Sequence, residues 1–202
     1  MLYALTQKQL ARTLFPLGEM TKNEVRGIAR ENGFENAHKK DSQDICFVPD
    51  GDYVRFIESY TGKTYPCGDF IDESGRVLGR HQGIIRYTVG QRKGLGIALG
   101  RPMFVSAKDP QSNTVTLSDN QSLFGNRLLA GDLNLIPFDA LSAPLRVQAK
   151  VRYGQEAQWA TVEQIGPDRI HVEFDTPQRA IARGQSIVLY DGEYVVGGAI
   201  IE

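Results

Sequence analysis

The chain contains two cysteines, Cys46 and Cys67, and a cysteine thiolate can act as a nucleophile or carry sulfur. Cys46 lies in the apolar run of residues 45–48, shortly after Lys39 and Lys40, whose charges would favour a thiolate or a persulfide anion. Two intervening aspartates oppose that effect, and free cysteine is also common in buried cores, so both interpretations stay open. Cys67 lies at a Pro/Gly turn without a neighbouring base, and we expect it to have no chemical role.

The cysteines and histidines of the sequence do not form a predicted metal site. Two cysteines and three separate histidines lack the ligand spacing of a zinc centre, so the sequence predicts no metal. His38, His81 and His171 are each expected to have a core or surface role. No arrangement of serine, histidine and aspartate into a catalytic triad follows from their order.

A glycine-rich run at residues 90–96, GQRKGLG, is the second candidate site. Its spacing matches neither a nucleotide-binding P-loop nor a dinucleotide fingerprint. A tight loop carrying Arg92, Lys93 and several backbone amides suits contact with RNA phosphates. The surrounding segment, residues 76–101, holds six cations and no carboxylate, a pattern equally typical of a solvated basic face.

Helix signals are confined to the first third of the chain. Thr21 and Glu24 form a capping box, apolar residues follow at helical spacing, and Gly33 stands where a left-handed terminating residue belongs. We predict helices over Gln7–Leu14, Thr21–Asn32 and Asp52–Tyr60.

The rest of the sequence predicts strands. Apolar and polar residues alternate from Leu145 to Tyr153, and Asp191-Gly192 is a strong hairpin turn. Further strands are predicted at Met103–Ala107, Thr114–Leu117, Trp159–Gln164, Arg169–Phe174 and Ser186–Tyr190, with a linker over Ala130–Pro144. Closely spaced short strands favour a small barrel. We therefore predict an α+β, mostly β fold with a short helical N-terminal segment (residues 1–50), a central β-rich module (51–127) and a C-terminal β-barrel (128–202).

Composition restricts how the protein can work. The formal net charge is −1, so any nucleic-acid binding must use local cationic patches. No apolar stretch of about 18 residues and no secretory signal occur, so no membrane association is expected. Two cysteines give no disulfide framework, which favours a reducing, cytoplasmic location.

Three segments together resemble the MnmA family of tRNA-specific 2-thiouridylases: KKDSQDICFV, GRHQGIIRYTVGQRKGLGI and DTPQRAIARGQSIVLYDGEYVVGGAII. The resemblance is collinear and covers essentially the whole chain. It implies ATP-dependent adenylation of the C2 oxygen of the tRNA wobble uridine, followed by sulfur delivery from a cysteine persulfide. By the DSxxICF match, Cys46 would be the persulfide carrier.

The resemblance also implies the tRNA contacts. Arg152 and Tyr153 in VRY, and Gln185 in GQS, match residues that bind tRNA in the family, and Arg92 and Lys93 are weaker candidates on the same logic. Without the resemblance, these positions would be interpreted as ordinary strand-edge and turn residues. Two departures, Arg183 for a usual proline and Ala199 for a glycine, affect the expected loop geometry.

One family motif is absent, namely the SGGxDS loop that holds the ATP pyrophosphate. ATP and Mg²⁺ are therefore expected to belong to an N-terminal ATP-binding domain supplied separately, and this chain alone is expected to be inactive. The expected partners are tRNA and a persulfide-donating relay protein. A non-catalytic RNA-binding β module and a purely structural barrel remain the alternatives.

Overall fold

The computed structural model describes residues 2–38, 48 and 51–202 and confirms a mostly β fold with short N-terminal helices. The chain divides into two compact units: Met1–Lys8 with Tyr65–Glu202, and Gln9–Thr64. The division into residues 1–50, 51–127 and 128–202 stays a prediction. Within the described residues, none of the helices has the length and apolar character needed to cross a membrane.

The helices begin and end where local side-chain chemistry dictates. Helix α1 spans Gln7–Leu10 and is shorter than predicted, because the Arg12 and Thr13 amides donate to carbonyls three residues back, both at 3.0 Å, in the turn that follows. Helix α2 spans Lys22–Glu31, and the predicted capping box is present: the Thr21 amide donates to the Glu24 carboxylate at 2.7 Å. Helix α3 spans Tyr53–Thr61, with Asp52 as its N-cap.

Four strands form the central sheet, in the order β2-β1-β4-β3: β1 (Gly68–Ile71), β2 (Val77–His81), β3 (Phe104–Asp109) and β4 (Thr114–Ser118). β1 runs parallel to β4 and antiparallel to β2, with Phe70 beside Val115. Apolar side chains from one face pack into a core with the residues that connect β2 to β3, including Ile84, Tyr87 and Leu95. The predicted strands at Met103–Ala107 and Thr114–Leu117 are thereby confirmed within two residues.

Six strands close into a barrel in the order β10-β5-β8-β7-β6-β9. They are β5 (Phe124–Leu135), β6 (Leu145–Lys150), β7 (Gln158–Gln164), β8 (Ile170–Arg179), β9 (Ser186–Asp191) and β10 (Tyr194–Ile201). The period-two pattern sends Val147 and Ala149 into the interior, where their side chains are almost fully buried. The predicted hairpin joins β9 to β10, with Asp191 paired to Tyr194.

The predicted linker and the predicted end of the strand that begins at Leu145 are both wrong. The predicted linker over Ala130–Pro144 instead begins inside β5, because Ala130 pairs with Ile170 and is completely buried. The strand predicted to reach Tyr153 ends at Lys150, and the chain turns there, with the Gln155 amide donating to the Arg152 carbonyl at 3.2 Å.

The first residues of the chain pack on the barrel. Tyr3 is buried, and its hydroxyl lies 2.8 Å from the Ser186 hydroxyl. The Asn134 side-chain amide donates to the Tyr3 and Leu5 carbonyls at 2.6 and 3.2 Å. A side chain added at Gly198 would lie 2.5 Å from the Tyr3 ring, so this contact requires glycine.

Candidate nucleic-acid interface

The glycine-rich loop (Gly90–Gly96) is anchored at its start to strand β3. The Gly90 amide donates to the Val105 carbonyl at 2.7 Å, and the Val105 amide donates back to the Gln91 carbonyl at 2.9 Å. The Gln91 side chain closes the turn, since its oxygen accepts from the Thr88 amide and its nitrogen donates to the Lys93 carbonyl. The loop is therefore held firmly at one end by a core strand.

Arg92 and Lys93 extend from this anchored turn into solvent. Both are exposed, and neither forms an ion pair with any residue in the described part of the chain. Leu95, two positions later, is buried in the sheet core and fixes the other side of the loop. A shallow cavity of about 620 Å³ follows, lined by residues 94–103 and Arg92. The predicted cations are thus free to meet an external anion.

Arg152 lies in the turn after β6, and its guanidinium reaches the start of the glycine-rich loop. Its Nη2 donates to the Val89 carbonyl at 2.9 Å and to the Ala180 carbonyl at 3.0 Å, while its buried Nε has no partner among the described residues. Burial, and secondarily the charge of Arg179, lower the pKa of Arg152. The structure therefore brings Arg152 next to the loop that carries Arg92 and Lys93.

The outer face of the barrel presents cations stacked on aromatic rings. Gln148 pairs with Trp159 on one neighbouring strand and with Tyr190 on the other, so the three side chains form a row. Arg146 lies over the Trp159 ring at 5.3 Å, and Lys150 lies over the Tyr190 ring at 5.6 Å. Trp159 is half-exposed and Tyr190 is partly buried, and aromatic rings flanked by cations are a common platform for unstacked RNA bases.

One cation of this face is partly neutralised. The Arg146 Nη1 donates to Asp175 at 2.7 Å, and this hydrogen bond is the main reason that the pKa of Asp175 lies below its ordinary value. The alternation in β6 indicated this polar face, whereas its aromatic neighbours on β7 and β9 follow only from the strand register.

His81, the histidine beside the basic segment, has a core role. It is almost fully buried, its Nδ1 accepts from the Gly83 amide at 3.1 Å, and its Nε2 lies 3.1 Å from the Asn113 carbonyl. Cys67 is exposed. No group of three potential metal ligands occurs among residues 2–38, 48 and 51–202.

Three family models match successive parts of the chain. The tRNA methyl transferase HUP domain matches residues 1–50, the tRNA methyl transferase PRC-barrel domain matches residues 54–119, and the aminomethyltransferase beta-barrel domain matches residues 126–201. Together they cover nearly the whole sequence in collinear order.

Curated relatives agree along the full chain. The proteins named tRNA-specific 2-thiouridylase MnmA from Clostridioides difficile and Acetivibrio thermocellus are each 51% identical over 201 residues, and that from Lachnoclostridium phytofermentans is 52% identical over 200. The chain belongs to the tRNA-specific 2-thiouridylase family. The alignments cover 99–100% of this chain but 56% of each relative, so the chain spans little more than half of the relatives' length.

The residues carried over from the 2-thiouridylase family lie in contrasting environments. Tyr153, next to Arg152, has a relative exposure of 102%, so its whole ring is available to a partner. Gln185 is half-buried, and its side-chain oxygen is buried without a hydrogen-bond partner among the described residues. Cys46, Lys39 and Lys40 lie outside the described residues.

The two departures from the 2-thiouridylase pattern have different surroundings. Ala199 lies in β10 opposite Ile187 and is completely buried, so its methyl group belongs to the barrel core. At neighbouring Gly197 a Cβ would lie 2.3 Å from the Asn134 carbonyl, so that position requires glycine where position 199 does not. Arg183 is exposed in the turn before Gly184.

Proposed function

We propose that this chain carries the persulfide cysteine and the tRNA-binding surface of an ATP-dependent tRNA 2-thiouridylase. The observation that carries the proposal is collinear identity of about half of all residues with proteins named tRNA-specific 2-thiouridylase. The chain spans 56% of the length of those relatives. Its part in the activity of the whole enzyme is therefore proposed here.

Cys46 is proposed to carry the sulfur. An adenylated C2 oxygen is a good leaving group, and a sulfur anion is a strong nucleophile at neutral pH. The terminal sulfur of the Cys46 persulfide would bond to C2 as AMP leaves. A second cysteine thiolate, in the ATP-binding domain, would then attack the Cys46 Sγ and form a disulfide with it, which breaks the bond to the transferred sulfur and leaves that sulfur on C2. ATP and Mg²⁺ would be held by that domain, and a relay protein would deliver the persulfide in a reducing cytoplasm.

The RNA contacts are proposed to come from the glycine-rich loop and the adjacent turn. Arg92 and Lys93 are exposed cations without an ion pair in the described part of the chain, which favours their contact with phosphates. Tyr153 is fully exposed and can stack on a base or bond to the backbone. Arg152 links the two by holding the Val89 carbonyl. The half-buried Gln185 is proposed as a further contact.

The test compares the two cysteines. The chain is mixed with the separately produced ATP-binding part of a relative, ATP, Mg²⁺, a persulfide donor and tRNA, and 2-thiouridine is measured by mass spectrometry. We expect Cys46→Ser to abolish thiolation and to leave tRNA affinity unchanged, because serine cannot carry a persulfide.

Cys67→Ser is the matched control, since Cys67 is exposed and has no proposed role. It is expected to keep full thiolation. Thiolation that survives Cys46→Ser would overturn the sulfur-carrier role. Binding of tRNA without thiolation by the reassembled wild type would favour a non-catalytic RNA-binding module.

A further inference from the structure

Two arginines from the barrel hold consecutive carbonyls at the start of the glycine-rich loop. Arg152 donates to the Val89 carbonyl, as described above. Arg179, the last residue of β8, donates through Nη2 to the Gly90 carbonyl at 3.4 Å and through Nε to the Asn120 side-chain oxygen at 2.9 Å. The barrel therefore holds two consecutive backbone carbonyls, the second of which lies two residues before Arg92.

Both guanidinium groups donate their hydrogen bonds to neutral oxygens. Arg152 and Arg179 bind carbonyl and amide oxygens, and Arg179 also lies over the Phe104 ring at 5.1 Å. A planar guanidinium can direct several donors at fixed angles to separate acceptors, which a lysine ammonium cannot reproduce. Two like charges are thus kept close together in order to fix backbone atoms.

The contact is tight at Gly90. A Cβ at this position would lie 2.9 Å from the Ala180 Cβ and 3.4 Å from the Arg179 Nη1. Gly90 has φ +89°, and Ala180, which follows Arg179, has φ +55°, so both backbones adopt conformations that side chains disfavour. Such geometry persists only where the surrounding contacts determine it.

We propose that Arg179, together with Arg152, is a positioning residue that locks the glycine-rich loop onto the barrel, so that Arg92, Lys93 and Tyr153 present one RNA-binding surface. This inference rests on the proposed tRNA-binding function. Arg179 acts on RNA through the loop and does not itself contact a phosphate.

The first experiment tests the lock without RNA, by limited trypsin cleavage after Arg92 and Lys93, followed by mass spectrometry. We expect Arg179→Ala to accelerate that cleavage roughly tenfold, the factor that loss of one hydrogen bond to a charged group can give. Arg179→Lys should restore little protection. Arg127→Ala, which breaks an exposed barrel ion pair with Glu173, is the matched control and should leave cleavage unchanged.

Asn120→Ala is a second variant that removes only one anchor of Arg179 and keeps the test valid if Arg179→Ala unfolds. It should accelerate the same cleavage by a smaller factor. Wild-type cleavage rates in folded Arg179→Ala and Asn120→Ala proteins would overturn the lock, whatever the outcome with RNA.

The second experiment separates positioning from direct contact. The tRNA affinity of Arg179→Ala is measured in the wild-type background and in an Arg92→Ala/Lys93→Ala background. We expect a roughly tenfold loss in the first and almost none in the second, because the substitutions act through the same contact. Additive losses would overturn the positioning role in favour of direct phosphate contact. A wild-type chain that binds no tRNA would refute the proposed function, while the cleavage experiment still decides the lock.

Discussion

At the scale of single residues, the proposed role of Tyr153 depends on its exposure and on its position. Its ring is completely exposed and adjacent to Arg152, whose position is fixed by two carbonyls. An exposed ring contributes no packing to the folded protein. Its removal should therefore weaken only the binding of a partner.

We predict that Tyr153→Ala weakens tRNA binding about tenfold and leaves the free energy of unfolding unchanged, since stacking on one base contributes about 1–3 kcal/mol. Affinity is measured by filter binding and stability by urea denaturation. Tyr194→Ala, at the β9–β10 hairpin with 79% exposure, is the matched control. Equal losses of affinity in the two variants would refute a specific role of Tyr153.

The sequence predicts which side chains are polar and exposed, but it does not predict the residues that these side chains contact. Arg92 and Lys93 are exposed as their loop composition predicts. The contacts of Arg152 with Val89 and Ala180 join residues 63 and 28 positions apart in the sequence, so no local pattern contains them. Arg179 was missed for the same reason, because its partners are Asn120 and Gly90.

At the scale of elements, strand β9 alternates between the barrel core and the outside. Leu189 is completely buried, whereas its neighbour Val188 faces outward and is half-buried. The barrel core therefore depends on alternate residues of this strand.

We predict that Leu189→Ala lowers the free energy of unfolding by about 2–5 kcal/mol, through lost burial and a residual cavity. Val188→Ala on the same strand should lower the free energy of unfolding by a clearly smaller amount. The free energies of unfolding of both variants are measured by urea denaturation at the same protein concentration. Similar losses for the two substitutions would contradict the inward and outward assignment of β9.

Short regular elements could be predicted from local patterns. The capping box of α2, the alternation in β6 and the Asp191-Gly192 turn each depend on neighbouring residues, and each is present. The two longest strands were harder. β5 contains Gly131 and Asp132, the latter with φ +51°, and this local composition is typical of a turn.

Strand β8 shows the same difficulty. It was expected to end at Phe174 but continues to Arg179 through Pro177, a residue normally excluded from strand interiors. The register between β5 and β8 shifts between Gly125 and Arg127, and this irregularity accommodates the proline segment. Barrel closure, which no local pattern encodes, overrides the local preference.

At the scale of the whole molecule, charge distribution matters more than net charge. The formal net charge is −1, yet cations are concentrated in the segment 76–101 and on the β6 face of the barrel. Binding to a polyanion such as tRNA must therefore use a few local contacts, and its salt dependence should be correspondingly moderate.

The most direct measurement is the affinity of this chain for a wobble-uridine tRNA at about 50 and 200 mM salt. We predict that the tRNA affinity falls roughly tenfold between the two concentrations, as expected for about two phosphate contacts, and that the salt dependence of Arg92→Ala/Lys93→Ala is flatter. Absence of binding at both concentrations, or the same affinity and salt dependence in the double variant, would contradict tRNA binding through the glycine-rich loop.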